Sequence, residues 1–178
     1  MTFHQLLKEQ GTFITLEKGA YLFKQGELNR SLYFVQSGLL KGFYISENGA
    51  ESVKSFILAN DVIGNLTALV DNQVCTFNVI ALQEVSLIAL PYDTLITQTK
   101  LDHGLASGVI ELLMKLAIKK ERREYEFLCL SPEQRYLKLI EQSELLMTQV
   151  TQIDIAGYLG ITPVSLSRIK KRIEQGQQ

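Results

Sequence analysis

TQIDIAGYLGITPVSLSRIKKRI, residues Thr151–Ile173, is the stretch from which the rest of the chain can be read. Thr151 suits the cap of a short first helix, because its hydroxyl can accept a hydrogen bond from a free N–H of the opening turn. Ile155 and Leu159 give that helix an inner face, and Ala156 is small enough to let a second helix approach. Gly160 supplies the left-handed backbone of a tight turn. Thr162 then caps, and Pro163 opens, a second helix in which Leu166, Ile169 and Ile173 face inward at i, i+3 and i+7. Ser165, Arg168 and Arg172 repeat that spacing on a different face, with Lys171 beside them.

The outer face of the second helix therefore offers hydroxyl, guanidinium and ammonium groups. Such a face fits the major groove of double-stranded DNA, where arginine can donate two hydrogen bonds to guanine and serine can bond a base or a phosphate. Arg168 is the expected base reader. Lys170, Lys171 and Arg172 are expected on phosphate, which needs charge but carries no sequence information. The competing account, an ordinary helix–helix corner with a solvated basic face, leaves the coincidence of length, turn, caps and charge unexplained.

Upstream, Ser131-Pro132-Glu133-Gln134 reads as a helix start, with serine as cap, proline at the first helical position and glutamine returning a bond. Tyr136, Leu137, Leu139 and Ile140 are the apolar residues of this helix, so a helical domain is expected over 131–178, with its boundary near Leu128–Ser131. Before it, Leu105, Val109, Leu112, Leu113, Leu116 and Ala117 recur at three- and four-residue spacing, which predicts a long helix over 101–130. Its later part, Lys119-Lys120-Glu121-Arg122-Arg123-Glu124, is charged nearly all round. A parallel two-helix seam between subunits accounts for both halves; the alternative is a helix packed only on its own domain.

From Gly19 to Leu90 short runs rich in Val, Ile, Phe and Tyr alternate with turn signals at Lys18-Gly19, Gln25-Gly26, Ser37-Gly38, Glu47-Asn48-Gly49, Asn60-Asp61 and Asp71-Asn72. This is the punctuation of an antiparallel β domain, expected over 1–100 as a sandwich or jelly roll. Asn48-Gly49 predicts a type I′ turn joining Leu39–Ser46 to Ala50–Leu58. The fold class that follows is α+β.

The 178 residues are 46% hydrophobic, enough for a real core, and the net charge of −1 hides a gradient. Residues 1–100 hold seven Lys/Arg against nine Asp/Glu, whereas 101–178 hold eleven against ten, and the final eleven residues carry Arg168, Lys170, Lys171 and Arg172 against Glu174 alone. The opening MTFHQLLKEQGTF has no basic leader before an apolar run, and no stretch reaches the ~18 residues that span a bilayer. A cytoplasmic protein without a membrane partner is expected. Cys75 and Cys129, the two cysteines, lack metal-ligand spacing, so reduced thiols are expected, with no zinc site or disulfide framework. No Ser/His/Asp set, Cys/His pair or phosphate-binding glycine loop appears, which argues against an enzyme.

The segment IAGYLGITPVSLSRIKKRI resembles the helix-turn-helix of the Crp/Fnr transcription factors, and the β region resembles their cyclic-nucleotide-binding domain. The order of parts matches along nearly the whole chain. The resemblance implies a jelly roll, a long dimerisation helix and a DNA-binding domain, in a homodimer whose two recognition helices enter successive major grooves of a pseudo-palindromic operator. It places Thr151 and Gln152 on phosphate and Arg168 on a base, with Thr162 and Ser165 at the same interface. Pro163 and Val164 stand where the best-known members carry further polar readers, so the operator should differ from theirs. Five residues follow Ile173, so the family's β wing is expected to be absent or minimal. RNA polymerase is a candidate further partner.

In the sensor half the family's phosphate-binding cassette corresponds to Gly64-Asn65-Leu66 and, further on, Cys75-Thr76. Asn65 stands where the family has the ribose-holding glutamate, and Cys75 where it has the arginine of the cyclic phosphate. A neutral thiol cannot make the charge-assisted fork that a buried phosphate needs, so no cyclic-nucleotide cofactor is expected. An iron–sulfur cluster held by one chain is excluded, since it needs four cysteine ligands. His4 and His103 read as structural or surface residues rather than haem ligands. Cys75 reads first as a small buried apolar residue and second as a redox thiol. The expected function is a DNA-binding regulator with an unidentified effector or none; the alternative is a ligand-binding or interaction module whose helix-turn-helix no longer binds DNA.

Overall fold

The computed structural model describes residues 1–142 and 144–176. A short helix α1 (Phe3–Gln10) precedes eight strands, β1 (Thr12–Leu16), β2 (Tyr21–Phe23), β3 (Ser31–Ser37), β4 (Leu40–Ile45), β5 (Glu51–Ile57), β6 (Val62–Ile63), β7 (Asn78–Ala81) and β8 (Val85–Pro91), with α2 (Leu66–Val70) between β6 and β7. The strands form two antiparallel sheets ordered β1-β8-β3-β6 and β2-β7-β4-β5. Alternation sets the faces: in β8, Val85, Leu87 and Ala89 point inward, where they meet Phe23, Val35 and Val79 between the sheets.

The six turns expected from sequence each hold a residue with positive φ, namely Gly19, Gly26, Gly38, Gly49, Asn60 and Asn72. The hairpin between β4 and β5 forms as expected, with Ile45 opposite Glu51, but not through a type I′ turn. Only Gly49 has positive φ (+80°), while the Gly49 N–H reaches Ser46 O at 2.8 Å. The Asn48 carboxamide oxygen accepts from the Ser46 hydroxyl at 2.6 Å and from Ala50 N–H at 3.2 Å, so its side chain, not a left-handed backbone, closes the loop.

α1 was not expected. Its signal is a capping box: Thr2 Oγ1 accepts from Gln5 N–H and Gln5 Oε1 accepts from Thr2 N–H. Leu6 and Leu7 bury it against Phe34, Leu90 and Leu105.

After β8 come α3 (Tyr92–Leu101) and the long α4 (His103–Cys129), whose cap is Asp102. The apolar stripe of α4 is split. Leu105 and Val109 pack on the β domain, whereas Leu113 is exposed together with Ile110, Met114 and Ile118. The helical region follows as α5 (Pro132–Gln142), α6 (Glu144–Gln149), α7 (Gln152–Leu159) and α8 (Pro163–Gly176). The Ser131/Gln134 box forms with both bonds, at 3.2 and 2.9 Å. Tyr136 and Leu139 of α5 are buried and Ile140 packs beside them, but Leu137 is exposed.

A third core joins the two halves of the chain. Leu39, just before β4, and Val53 and Phe56 of β5 pack with Tyr136, Ile155, Ala156, Leu159 and Leu166. The first helix of the helix-turn-helix thus lies directly on β5.

Candidate DNA-reading face and sensor cassette

Thr151 caps α7: its Oγ1 accepts from Asp154 N–H at 3.1 Å and its hydroxyl donates to Asp154 Oδ2 at 2.7 Å. Gly160 ends the helix at φ +68°, and a Cβ there would lie 2.7 Å from the Phe127 ring, so both backbone and space call for glycine. Thr162 Oγ1 accepts from Ser165 N–H at 3.2 Å and caps α8. Leu166 and Ile169 are buried beneath α8 and Ile173 is partly so. The two-helix unit read from sequence is therefore formed, cap by cap.

The expected DNA contacts divide by what holds them. Arg168 and Lys171 are exposed, with no hydrogen-bond or ion-pair partner among the described residues. Arg172 is exposed but pairs with Glu133 at 3.5 Å. Lys170 is half-buried and donates to Gln152 Oε1 at 3.2 Å, so a cation from α8 and an amide from α7 sit side by side. Ser165 is half-buried and its hydroxyl lies 3.0 Å from that of Thr162. Val164, which the resemblance places where other members carry a polar reader, is exposed at the opening of α8. An apolar side chain there suits a thymine methyl.

Two arginines and an ion pair hold this unit in place. Arg135 donates to the carbonyls of Phe127, Leu130 and Leu159, at 3.0, 2.9 and 2.9 Å, and so ties the end of α4 to the end of α7. Arg123 of α4 donates to Tyr158 O, and its guanidinium stacks 3.9 Å from the centre of the Tyr158 ring. Lys41 of β4 bonds Asp154 of α7 at 2.8 Å, with each side chain 11% exposed. Burial would raise the Asp154 carboxyl, but the bonds from Lys41 and Thr151 outweigh it and hold it below the usual carboxylate range. Burial likewise works against the Lys41 ammonium, and its bond to Asp154 leaves it above the ordinary lysine value.

The cassette is closed upon itself. Asn65 is 2% exposed; its Oδ1 accepts from Ala68 N–H, capping α2, and its Nδ2 donates to Thr76 Oγ1, both at 3.1 Å. Cys75 is buried, and burial pushes its thiol above the ordinary value, which disfavours the reactive thiolate of a redox sensor. Leu66 and Thr76 are exposed, and Gly64 is packed so closely that a Cβ would meet Leu32 and Leu69 at 3.0 Å. An iron–sulfur cluster does not fit the donor set: Cys75 is inside the β domain, Cys129 is exposed at the end of α4, and the sequence has no other cysteine. Among the described residues no helix is long and apolar enough to cross a membrane.

Comparison with known proteins agrees with this geometry. Residues 13–100 match the cyclic nucleotide-binding domain. Over 177 residues the chain is 27% identical to the fumarate and nitrate reduction regulatory protein of Vibrio cholerae, covering 91% of this chain and 68% of that protein. Among solved structures it superposes on FixK2 from Bradyrhizobium japonicum with a TM-score of 0.81 at 16% identity, covering 94% of this chain and 86% of that one. The c-di-GMP-responsive regulator CLP from Xanthomonas campestris gives 0.79 at 14%, covering 98% and 91%. A nucleotide-binding-type β domain, a long connecting helix and a helix-turn-helix, met in that order, are what the chain shares with the Crp/Fnr regulators, and the likeness is that of a DNA-binding transcription regulator.

Proposed function

We propose that the chain binds a pseudo-palindromic operator in double-stranded DNA as a homodimer, each subunit placing α8 in a major groove. The carrying observation is that Arg168 and Lys171 stand exposed and unpaired, among the described residues, on the face of α8 opposite buried Leu166 and Ile169. Arg168 reads a guanine and Val164 contacts a thymine methyl. Lys171 lies on phosphate, as do Thr151 and Gln152 at the start of α7, while Lys170 and Arg172 exchange their internal partners for phosphate. Ser165 and Thr162 complete the contact at the helix opening. The subunits pair along the exposed apolar side of α4, the protein works in the cytoplasm, and RNA polymerase is its further partner.

Fluorescence anisotropy with a duplex from the protein's own promoter region tests the proposal. Arg168→Ala is expected to weaken binding by roughly 10- to 100-fold, the value of a lost bidentate base contact. Lys171→Ala should weaken all sequences alike and reduce the salt dependence by about one counterion per subunit. Dimerisation without DNA affinity, even at low salt, would instead mark an interaction module whose reader has lapsed.

A further inference from the structure

The outer face of the β2-β7-β4-β5 sheet carries an open cleft of about 430 Å³, lined by Tyr21, Lys24, Gln25, Ile45 and Asn78. The strand pattern brings these residues together. Val79 and Ala81 of β7 point into the core between the sheets, so Asn78 at the start of β7 faces outward. It stands opposite Phe43 of β4, which is buried, and Ile45 follows two residues on along the same face. The register of β2 slips between Tyr21 and Phe23. Phe23 is thereby turned into the core, and the Tyr21 ring stays outside, 6.4 Å from that of Phe43.

Asn78 is the most informative of these residues, because it is a polar side chain only 4% exposed. Its Oδ1 accepts from Gln25 N–H at 3.0 Å, which fixes the way the amide points, and its Nδ2 has no partner among the described residues. A buried donor left unpaired bears the full cost of its lost hydration. Lys24 is exposed and has no ion-pair partner among the described residues; its ammonium rests 4.9 Å from the centre of the Tyr21 ring. The nearby Glu27 carboxylate accepts from the Lys24 backbone N–H at 2.9 Å. None of the lining residues is acidic. The Gln25 side chain is the part of the wall that gives way, since only long bonds hold it: its Nε2 lies 3.5 Å from Ile45 O and its Oε1 3.3 Å from Ile45 N.

We propose that this cleft binds a short-chain monocarboxylate, one oxygen accepting from Asn78 Nδ2 and the other paired with the Lys24 ammonium, with the hydrocarbon lying against Tyr21 and Ile45. An amide N–H and an ammonium match the two oxygens of a carboxylate, whereas a phosphate, with more oxygens and more charge, is left short of donors. Tyr21 and Ile45 are 40% and 41% exposed, an apolar surface that a chain of a few carbons removes from water. The cleft shares no residue with the cassette, with α4 or with the face of α8. Binding here therefore stands apart from the DNA-binding function proposed above.

The test titrates the full chain with hexanoate, hexanamide, acetate and inorganic phosphate, followed by two-dimensional proton–nitrogen NMR. Hexanoate is expected to saturate at one per chain and to shift the Asn78 side-chain amide and the Ile45 backbone signal. Hexanamide, which lacks the charge, and acetate, which lacks the chain, should each bind at least tenfold more weakly, and phosphate should leave these signals in place. Hexanamide, acetate or phosphate matching hexanoate overturns the proposal, as does hexanoate leaving the Asn78 amide unmoved. Asn78→Asp keeps an acceptor for Gln25 N–H but turns the free donor into another acceptor, and should weaken hexanoate at least tenfold; unchanged affinity removes the site. Lys24→Gln, on the exposed rim, gives an independent reading if Asn78→Asp fails to fold. A severalfold loss for hexanoate alone is expected, with Lys24→Arg within threefold of wild type, and no loss in Lys24→Gln counts against the site. Arg168→Ala should weaken operator binding and leave hexanoate untouched, so the two proposals fail separately.

Discussion

Lys54 shows how one side chain can weigh on the whole fold. Burial, with repulsion from Lys120 and Lys119, lowers its pKa to about 8. A lysine shifted in this way favours the unfolded state at neutral pH, because the unfolded chain holds the proton more tightly. The sign follows: stability contributed by this residue is lowest below pH 8 and rises as pH climbs from there toward the unfolded lysine value. After discounting for residual solvent and for the Phe77 ring, whose centre lies 4.5 Å from the ammonium, Lys54→Met is expected to stabilise the protein by about 2 kcal/mol at pH 7. Urea unfolding of both proteins at pH 7 and pH 10 checks this, with the gap narrowing at pH 10. Gly160 makes the opposite case. Gly160→Ala places an L side chain at φ +68° and its Cβ against Phe127, so a loss of about 2 kcal/mol in thermal unfolding is expected. The need for Gly160 was legible from its position between two helices, whereas the strain on Lys54 was not, because Lys119 and Lys120 lie more than sixty residues away in the chain.

Among the elements, α4 departs most from its sequence pattern. The three- and four-residue spacing correctly located a helix, but it assigned Leu105 and Leu113 to one stripe that the structure divides. Leu105 is buried by α1, an element whose capping box at Thr2 and Gln5 was present in the sequence but unread. The face left open, Ile110 at 61% and Met114 at 58% exposure with Leu113 and Ile118 between and beyond, shares only Leu113 with the stripe read from sequence and is the seam of the proposed dimer. Ile110→Glu combined with Met114→Glu should give a monomer at micromolar concentration by sedimentation, while the β domain keeps its circular dichroism. DNA affinity should fall with it, since a single reader reaches only one half-site.

On the scale of the whole molecule, the helix-turn-helix is seated on the β2-β7-β4-β5 sheet through the core around Phe56 and Ile155 and through the Lys41–Asp154 pair. Lys41→Met leaves Asp154 buried without its counter-ion and is expected to cost about 3 kcal/mol, with Lys41→Met/Asp154→Leu recovering most of it. The pH dependence of the wild-type pair has two limbs. Asp154, held low, contributes stability that is present above the unfolded carboxylate value near pH 4 and is lost as pH falls through its folded value. Lys41, held high, contributes stability that is present below the unfolded lysine value near pH 10 and is lost as pH rises through its folded value. Chemical denaturation between pH 3 and 7 should therefore show a shallower acid limb for Lys41→Met/Asp154→Leu than for wild type.

What the residues determined by themselves was whatever depends on near neighbours in the chain. The six left-handed turns, the caps at Ser131, Thr151 and Thr162, and the basic outer face of α8 follow from backbone conformation and from bonds spanning three or four residues, which a linear reading contains. The departure of the cassette from its family pattern was equally legible, since it lies in residue types. Tertiary structure alone decided the rest. Lys41 meets Asp154 across 113 residues, Arg135 gathers carbonyls from two helices, and cations from β5 and α4 converge on one cavity. Their partners are set by how sheets and helices pack, and no local preference of the chain encodes which distant charge will lie opposite.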